Sequence, residues 1–288
     1  MSDELLIDNN TNKGKSSLYS NNILTIQTLQ ITPFRTLMAA LKDILLETNI
    51  IFTPEGIKII NMDKSHTILV HLSLEAQNFE LYDCKMDKIV IGVNMFHLFK
   101  LINSIDNNDI LTIYIEEADY SDGIVQYLGL KFENGNIKQH KIQKLRLIEP
   151  DNDELAVPDV KFSSVLNLPS ADFQKIIRDF SCISDKIEIK SISTSDGIEL
   201  IFKSTGGFAQ AEIRRTESDG NMEFIKKQEI NKIIQGEFSL KNLGYFIKCT
   251  NLCSQIEIYL ENNLPLVVKY NVASLGVIML ALASIPSS

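Results

Sequence analysis

Few side chains in this sequence could do chemistry, and those few are scattered. Of the four histidines, His66, His71, His97 and His140, no two stand four apart on a helical stretch and none sits beside a cysteine at ligand spacing, so the pattern argues against a zinc site. Cys249 and Cys253 are four apart, but no further thiol or imidazole clusters with them, and with Cys84 and Cys182 they are expected as small core residues. Asp63 and His66, in Met62-Asp-Lys-Ser-His, have the types of an acid–base pair, yet Asp and Ser are what a polar turn between two strands needs. Asp106, Asp109, Glu116 and Asp119 could in principle hold a hard cation for a metal-dependent reaction on phosphorylated substrates, but they read more simply as solvated loop residues. Gly206-Gly207 lacks the Lys-Ser/Thr of a phosphate-binding loop and precedes a strand-like stretch. No catalytic residue, metal or cofactor is expected.

The elements that would position a binding surface are better defined. The 288 residues suit two domains, and 44% hydrophobic with 23% charged residues is a globular composition. The start has no basic segment before an apolar one, as an export signal would, and the longest nearly apolar run, Leu275 to Ile285, is short of the ~20 residues that span a bilayer. Four cysteines suit a reducing compartment. Residues 1–22 are rich in Asn, Ser and Lys and read as a leader outside the fold.

From Ile23 onward, strands with period-2 alternation are interrupted by four amphipathic helical windows, 33–46, 94–104, 171–180 and 240–251, which reads as an α+β chain. Thr32-Pro33 is expected to cap the first. The plan runs twice: Glu55-Gly56-Ile57 is echoed by Asp196-Gly197-Ile198, and Ile113-Tyr-Ile-Glu116 by Ile258-Tyr-Leu-Glu261, at offsets of 141 and 145 residues. Two similar domains, 23–146 and 159–288, joined by an acidic connector over 147–158, follow from that repeat.

Charge is distributed unevenly between these elements. The helical windows hold seven cations, Arg35, Lys42, Lys100, Lys175, Arg178, Lys241 and Lys248, against three acids, Asp43, Asp172 and Asp179. The net of +4 leaves −13 on the rest of a chain whose total is −9. Arg35 and Lys42 are seven apart, as are Lys241 and Lys248, and Lys175 and Arg178 are three apart, so each pair lies on one helix face. Basic faces on an otherwise acidic protein point to binding of a nucleic-acid backbone, which Lys and Arg neutralise without reading bases.

Particular stretches carry a resemblance: Ala40-Leu-Lys-Asp-Ile, Ile60-Asn-Met-Asp-Lys-Ser-His, Ile91-Gly-Val-Asn-Met, Leu168-Pro-Ser-Ala-Asp-Phe with Ile177-Arg-Asp, and Leu264-Pro-Leu-Val-Val-Lys-Tyr. Together they resemble the eukaryotic type of DNA sliding clamp, the proliferating cell nuclear antigen family, over about Ile23 to Ile285. The resemblance implies a duplicated clamp fold, two similar domains each with two helices packed on antiparallel sheet. Three chains would close head to tail into a ring, helices inside, around double-stranded DNA, as a non-enzymatic processivity factor for replication and repair. The partners implied are DNA polymerase, a clamp loader and other replication proteins, with no membrane. The place of action implied is the nucleus, or a cytoplasmic replication site for a viral protein. The seven cations match the family's channel lining, while Thr36 and Asn103 stand where members often have lysine. Partner proteins are expected at Met62, His66, Leu155, Val157, Pro158, Pro265, Leu282 and Ala283.

Three stretches depart from the family pattern. Ala281-Leu-Ala-Ser284 replaces a usual Tyr-Leu-Ala-Pro, the turn at Ser193–Asp196 lacks the lysine that many members modify, and Thr216 to Gln235 is long. Ring edges are expected in Gly123 to Phe132 and Gly207 to Arg215; the alternative is a monomeric processivity factor that binds DNA on an open basic face.

Overall fold

The computed structural model describes residues 21–134, 139–151, 155–219 and 221–286. Residues 1–20 of the expected leader, 152–154 of the expected connector and residue 220 of the long segment lie outside the described residues. The first half holds β1 (Asn22–Thr28), β2 (Glu47–Thr53), β3 (Gly56–Met62), β4 (Ile68–Glu75), β5 (Leu81–Cys84), β6 (Ile89–Asn94), β7 (Ile110–Glu116), β8 (Tyr120–Ser121), β9 (Ile124–Val125), β10 (Tyr127–Asn134) and β11 (Gln139–Arg146). The second holds β12 (Ser164–Pro169), β13 (Lys186–Thr194), β14 (Gly197–Thr205), β15 (Gln210–Thr216), β16 (Glu223–Lys226), β17 (Ile233–Ser239), β18 (Gln255–Leu260), β19 (Leu266–Val272) and β20 (Gly276–Leu282). Helices α1 (Ile31–Ile44) and α2 (Met95–Ile102) belong to the first half, α3 (Ser170–Ser181) and α4 (Leu240–Phe246) to the second, and α4 runs on into a 3-10 segment at Ile247–Leu252.

Each half builds two antiparallel sheets. β11-β10-β7-β1-β5 stands alone in the first half and β15-β14-β13-β17 in the second. A nine-stranded sheet, β16-β12-β18-β19-β20-β4-β3-β2-β6, crosses between the halves through the β20·β4 pair, in register from Gly276 opposite Leu74 to Leu282 opposite Ile68, and β8 and β9 form a separate two-stranded ribbon. This is the duplicated α+β clamp fold. The plan is one and the same in both halves: β1 corresponds to β12, α1 to α3, β2 through β6 to β13 through β17, α2 to α4, and β7, β10 and β11 to β18, β19 and β20.

The helices form one layer over the sheets because each buries a single stripe. In α1 the buried side chains are Ile31, Phe34, Leu37, Met38, Ala40, Leu41 and Ile44; in α3 they are Ser170, Phe173, Ile176, Ile177 and Phe180. Full burial of each large apolar side chain contributes ~1.5–3 kcal/mol, so the inward stripe fixes which way the cationic faces turn. Strands supply the other wall through alternation, as in β4, where Ile68, Val70, Leu72 and Leu74 are buried and Leu69, His71 and Ser73 are not.

Several expectations are corrected. α1 begins at Ile31 with Gln30 in the capping position and no side-chain cap; Ile31 is buried, and that burial draws the helix start upstream of Thr32. Pro33, in the first turn, has no N–H to leave unpaired. Side-chain caps are made only at α2, by Asn94 to the His97 N–H, and at α4, by Ser239 to the Asn242 N–H. The window Gly123 to Phe132 is not an edge of this sheet, because β10 is paired on both sides, by β7 and by β11; the sheet ends on β11 on that side and on β5 on the other. Gly207 to Arg215 does hold an edge strand, β15. Of the cysteines only Cys249 is buried; Cys182 follows the last apolar turn of α3 and is exposed.

The start of the connector is laid across the first domain. The Leu147 N–H donates to Gln126 O and the Ile148 N–H to Gly92 O, each at 3.0 Å, and the Asn49 side-chain amide brackets the Asp151 backbone with bonds of 2.6 and 3.0 Å. Gly92 is required at this crossing, since a Cβ there would lie 2.6 Å from Ile148 O and 2.8 Å from Glu149 O. Gly92→Ala is therefore expected to lift the connector and cost about 1–3 kcal/mol. A lowered melting temperature with faster proteolysis within 147–158 would bear this out; wild-type values for both would show that the crossing tolerates a side chain.

Candidate nucleic-acid interface

The four helices lie edge to edge in the order α2, α1, α4 with its 3-10 segment, α3. Bonds between elements fix the order: Lys248 in the 3-10 segment reaches Asp43 on α1, Lys42 on α1 lies 5.0 Å from the Phe99 ring of α2, and the Gln174 amide on α3 donates to Ile247 O at 3.2 Å. The seven cations thus belong to one layer, but they are not alike.

Lys100, Lys175, Arg178 and Lys241 are exposed and form no ion pair among the described residues; Lys100 rests 4.5 Å from the exposed Phe96 ring. Lys42 and Lys248 share Asp43, the former at 2.7 Å, and Lys248 also lies 5.5 Å from the Tyr245 ring. Burial works to raise the Asp43 carboxyl, but the hydrogen bonds from Lys248 and Lys42 outweigh it and hold the group below its ordinary value. Arg35 is turned inward: its guanidinium donates to Asn107 Oδ1 at 2.9 Å and to Ile105 O, and its Nε is buried without a partner. Arg35 therefore pins the loop after α2, and the charge it offers a ligand is reduced accordingly.

The residues expected to meet partner proteins divide in the same way. Met62, opposite Leu69, stands in a row that continues through Ala281 to Val267 across β3, β4, β20 and β19. Opposed residues of antiparallel strands share a face, so this row lies on the face away from buried Ile68 and Leu282. At the same end of the strands stand His66, exposed at φ 54, Ala283, whose N–H donates to Thr67 O at 2.9 Å, and exposed Pro265. Leu282 is 1% exposed and belongs to the core, because it sits on the inward side of β20; Ala281 takes the outward place. Sequence reasoning missed Leu69 and Ala281. The signal was available: Leu69 is a large apolar residue at an outward position between Ile68 and Val70.

Leu155 and Val157, 40% and 43% exposed, and exposed Pro158 lie on a stretch, 155–161, that no hydrogen bond among the described residues ties down. Beyond it the chain is fixed again, by the Ser163 N–H and hydroxyl on Glu261 and by Lys226 Nζ on Phe162 O at 2.6 Å. The connector is thus held at both ends.

The acids considered for metal chemistry do not converge. Asp109 is buried and accepts from the Asn134 amide at 2.7 Å and the Asp106 N–H at 3.1 Å, whereas Glu116 and Asp119 both hold Lys144, at 2.7 and 2.8 Å. Asp63 accepts from the Ser65 hydroxyl and from the N–H groups of Ser65, Thr67 and Ile68. That is a turn-building role, with the carboxyl saturated by donors other than His66.

A duplicated clamp fold with a cationic helix layer and an apolar row on its outer sheet defines the class, and comparison with known proteins supplies the family. The proliferating cell nuclear antigen N-terminal domain matches residues 23–154 and the C-terminal domain residues 156–285. The chain belongs to the proliferating cell nuclear antigen family of DNA sliding clamps, which are non-enzymatic processivity factors. It is 31% identical over 268 residues to a probable DNA polymerase sliding clamp 1 of Paramecium bursaria Chlorella virus 1, covering 93% of this chain and 98% of that protein. It is 35% identical over 223 residues to a probable DNA polymerase sliding clamp of Acanthamoeba polyphaga mimivirus, covering 77% of this chain and 45% of the mimivirus protein.

Asp43 offers a direct test of the helix layer. Asp43→Asn releases Lys42 and Lys248, and non-specific affinity for duplex DNA should rise, with the log–log salt slope steeper by roughly 0.9 for each lysine that gains a phosphate. The folded-state carboxyl sits below its unfolded value. Its contribution to stability is therefore present above the unfolded value and lost as pH falls through the folded one, a dependence the variant should lack. Unchanged DNA binding would mean that these lysines do not face the duplex.

Proposed function

We propose that three copies of this chain close head to tail into a ring around duplex DNA and, once loaded, tether DNA polymerase and other replication proteins. The observation that carries the reading is the state of the sheet edges. β20 and β4 pair within the chain, while their counterparts β11 and β15 stand at free edges, one in each half. A head-to-tail contact between copies joins β11 to β15 and leaves neither exposed, which is the heterologous contact that generates a closed ring when the rotation divides a full turn. Ile142, 62% exposed on β11, and Phe208, 80% exposed just before β15, are apolar groups that such a contact would cover.

In the ring the helix layer faces the DNA. Arg35, Lys42, Lys100, Lys175, Arg178, Lys241 and Lys248 supply its positive field, with the four unpaired cations making the phosphate contacts. Partner proteins dock on the outer row: Met62, Leu69 and Ala281, flanked by His66, Pro265 and Ala283, with Leu155, Val157 and Pro158 of the connector closing over a peptide. The loader acts on the same assembly. The viral sources of the relatives support a site of viral genome replication as the place of action.

Sedimentation should give a mass about three times the 32.5 kDa of the chain, and Ile142→Asp should give monomers of unchanged melting temperature. A wild-type mass of one chain would favour the open, monomeric processivity factor instead. Lys100, Lys175, Arg178 and Lys241 changed together to Ala should abolish most stimulation of polymerase on primed circular DNA at moderate salt while the trimer persists; full stimulation would remove the helix layer from the account. Leu155→Ala with Val157→Ala should weaken capture of short aromatic-containing peptides from replication enzymes by about tenfold, the loss expected from ~1.4 kcal/mol of apolar contact. Equal peptide affinity would exclude the connector from the site.

A further inference from the structure

Three contacts between cations and aromatic rings lie in the helix layer, and they connect. On α2, Lys100 sits 4.5 Å from the centroid of the Phe96 ring. Phe99, about one turn further along the same helix, carries Lys42 of α1 at 5.0 Å. Lys42 shares the Asp43 carboxylate with Lys248, and Lys248 in turn lies 5.5 Å from the Tyr245 ring of α4. Rings and cations therefore alternate in one track across α2, α1 and α4, from Phe96 to Tyr245. Neighbouring helix axes stand ~8–10 Å apart, so the track extends over roughly 16–20 Å.

Exposure separates the three rings. Phe96 is 44% exposed, whereas Phe99 and Tyr245 are partly buried against the core. An exposed aromatic ring gains little from a duplex that meets the helices backbone first, because phosphates and sugars are what that surface offers and Lys or Arg serve them better. In an unpaired strand each base presents a π face, and a positive surface with rings set between its cations is the arrangement that holds such a strand. Three lysines against one carboxylate, Asp43, keep the track positive.

We infer that this track binds single-stranded DNA, with an unpaired base stacked on Phe96 and a second on Tyr245, and with Lys100, Lys42 and Lys248 on the phosphates between them. The inference rests on the reading of the helix layer as the surface that meets DNA. Lys100 occupies one part of the exposed Phe96 ring and leaves the rest to a base, and the His97 ring, 6.3 Å away and tilted by 47°, borders the same spot. Phe99 acts through Lys42, which it holds in place. The layer then divides its work. Lys175 and Arg178 on α3 and Lys241 at the start of α4, which face no ring among the described residues, serve duplex phosphates, while the α2 side serves a strand that has lost its partner.

Fluorescence anisotropy of the full chain with a labelled oligothymidylate and with a labelled duplex of equal length, across a salt series, tests this. Phe96→Ala should weaken oligothymidylate binding about tenfold and leave duplex binding unchanged. Phe96→Trp should keep the single-strand affinity, and Phe96→Leu, apolar but unable to stack, should behave like the Ala variant. The lost affinity should not depend on salt, since stacking releases no counterions. Equal weakening of both probes would mean that Phe96 only supports Lys100. A fall in sedimentation mass in Phe96→Ala that Phe96→Leu does not show would make the ring a packing contact with a second copy. Either result overturns the inference. Its failure is separable from that of the reading beneath it: if the variant with Lys100, Lys175, Arg178 and Lys241 changed to Ala loses duplex binding while Phe96→Ala leaves oligothymidylate binding intact, only the track falls. If that fourfold variant keeps its duplex affinity, the helix layer itself is not the surface that meets DNA.

Discussion

A strand at the edge of a sheet presents a row of backbone N–H and C=O groups with no partner, and every sheet in this fold has to end somewhere. Duplication makes the problem specific. Each half builds two sheets, and the β20·β4 pair joins one sheet of the second half to one of the first. Of the strands that end these sheets, which also include β5, β6, β16 and β17, β11 and β15 are the counterparts of the paired β20 and β4. The row of opposed residues from Met62 to Val267 exists only because that pair holds its register, since a slip of one residue would turn Leu69 and Ala281 inward and Ile68 and Leu282 outward. The outer apolar row, the continuity of the core and the order of the helices above it all depend on this single ladder.

The helix layer shows how a basic surface is kept folded. Each helix commits one stripe to the core, and the opposite face is left to charge. Among the described residues Asp43 is the one acid that pairs with the layer's cations, and it does so where α1 meets the 3-10 segment, so that two lysines from different halves share one carboxylate. It both relieves repulsion between them and links the halves. Arg35 serves a comparable end by another route, with its charge absorbed by the loop after α2. The layer's usable charge is therefore smaller than its composition, and it is concentrated at Lys100, Lys175, Arg178 and Lys241.

Much of this was legible in the sequence because it rests on local pattern. The helical windows, the repeat and the cationic faces are periodicities, and a periodicity of 3.6 or 2 survives whatever the tertiary context. What could not be read depended on partners distant in the chain. Gln139–Arg146 carries four basic or imidazole residues and only Ile142 and Leu145 as large apolar ones, so it reads as loop, yet that composition is what a sheet edge tolerates. With β11 hidden by its composition, the sequence points to an edge one strand too early, at β10. Arg35 looked equivalent to Lys42 by spacing, but a carbonyl 70 residues away claims it. Leu282 differs for the opposite reason: its parity along β20, shared with buried Ile278 and Leu280, is local and readable, and it places the side chain in the core.

Affinity and function pull in different directions for a protein of this family. If 6–10 cations held phosphates firmly, binding would fall by about 10³ to 10⁵ between 50 and 200 mM salt, and movement along the duplex would require those contacts to break together. An enclosing ring removes the need for such contacts, because dissociation requires a seam to open rather than ions to exchange. On the proposed reading of the helix layer as the surface that meets DNA, cations partly compensated from within by Asp43 are then no defect. In the proposed ring, such compensation would keep each phosphate contact weak and screened beyond about a Debye length, ~8 Å at physiological salt, so that a duplex is centred without being gripped. The net charge of −9 on the whole chain acts in the same sense, since a mainly acidic exterior repels the polyanion everywhere except along the helices.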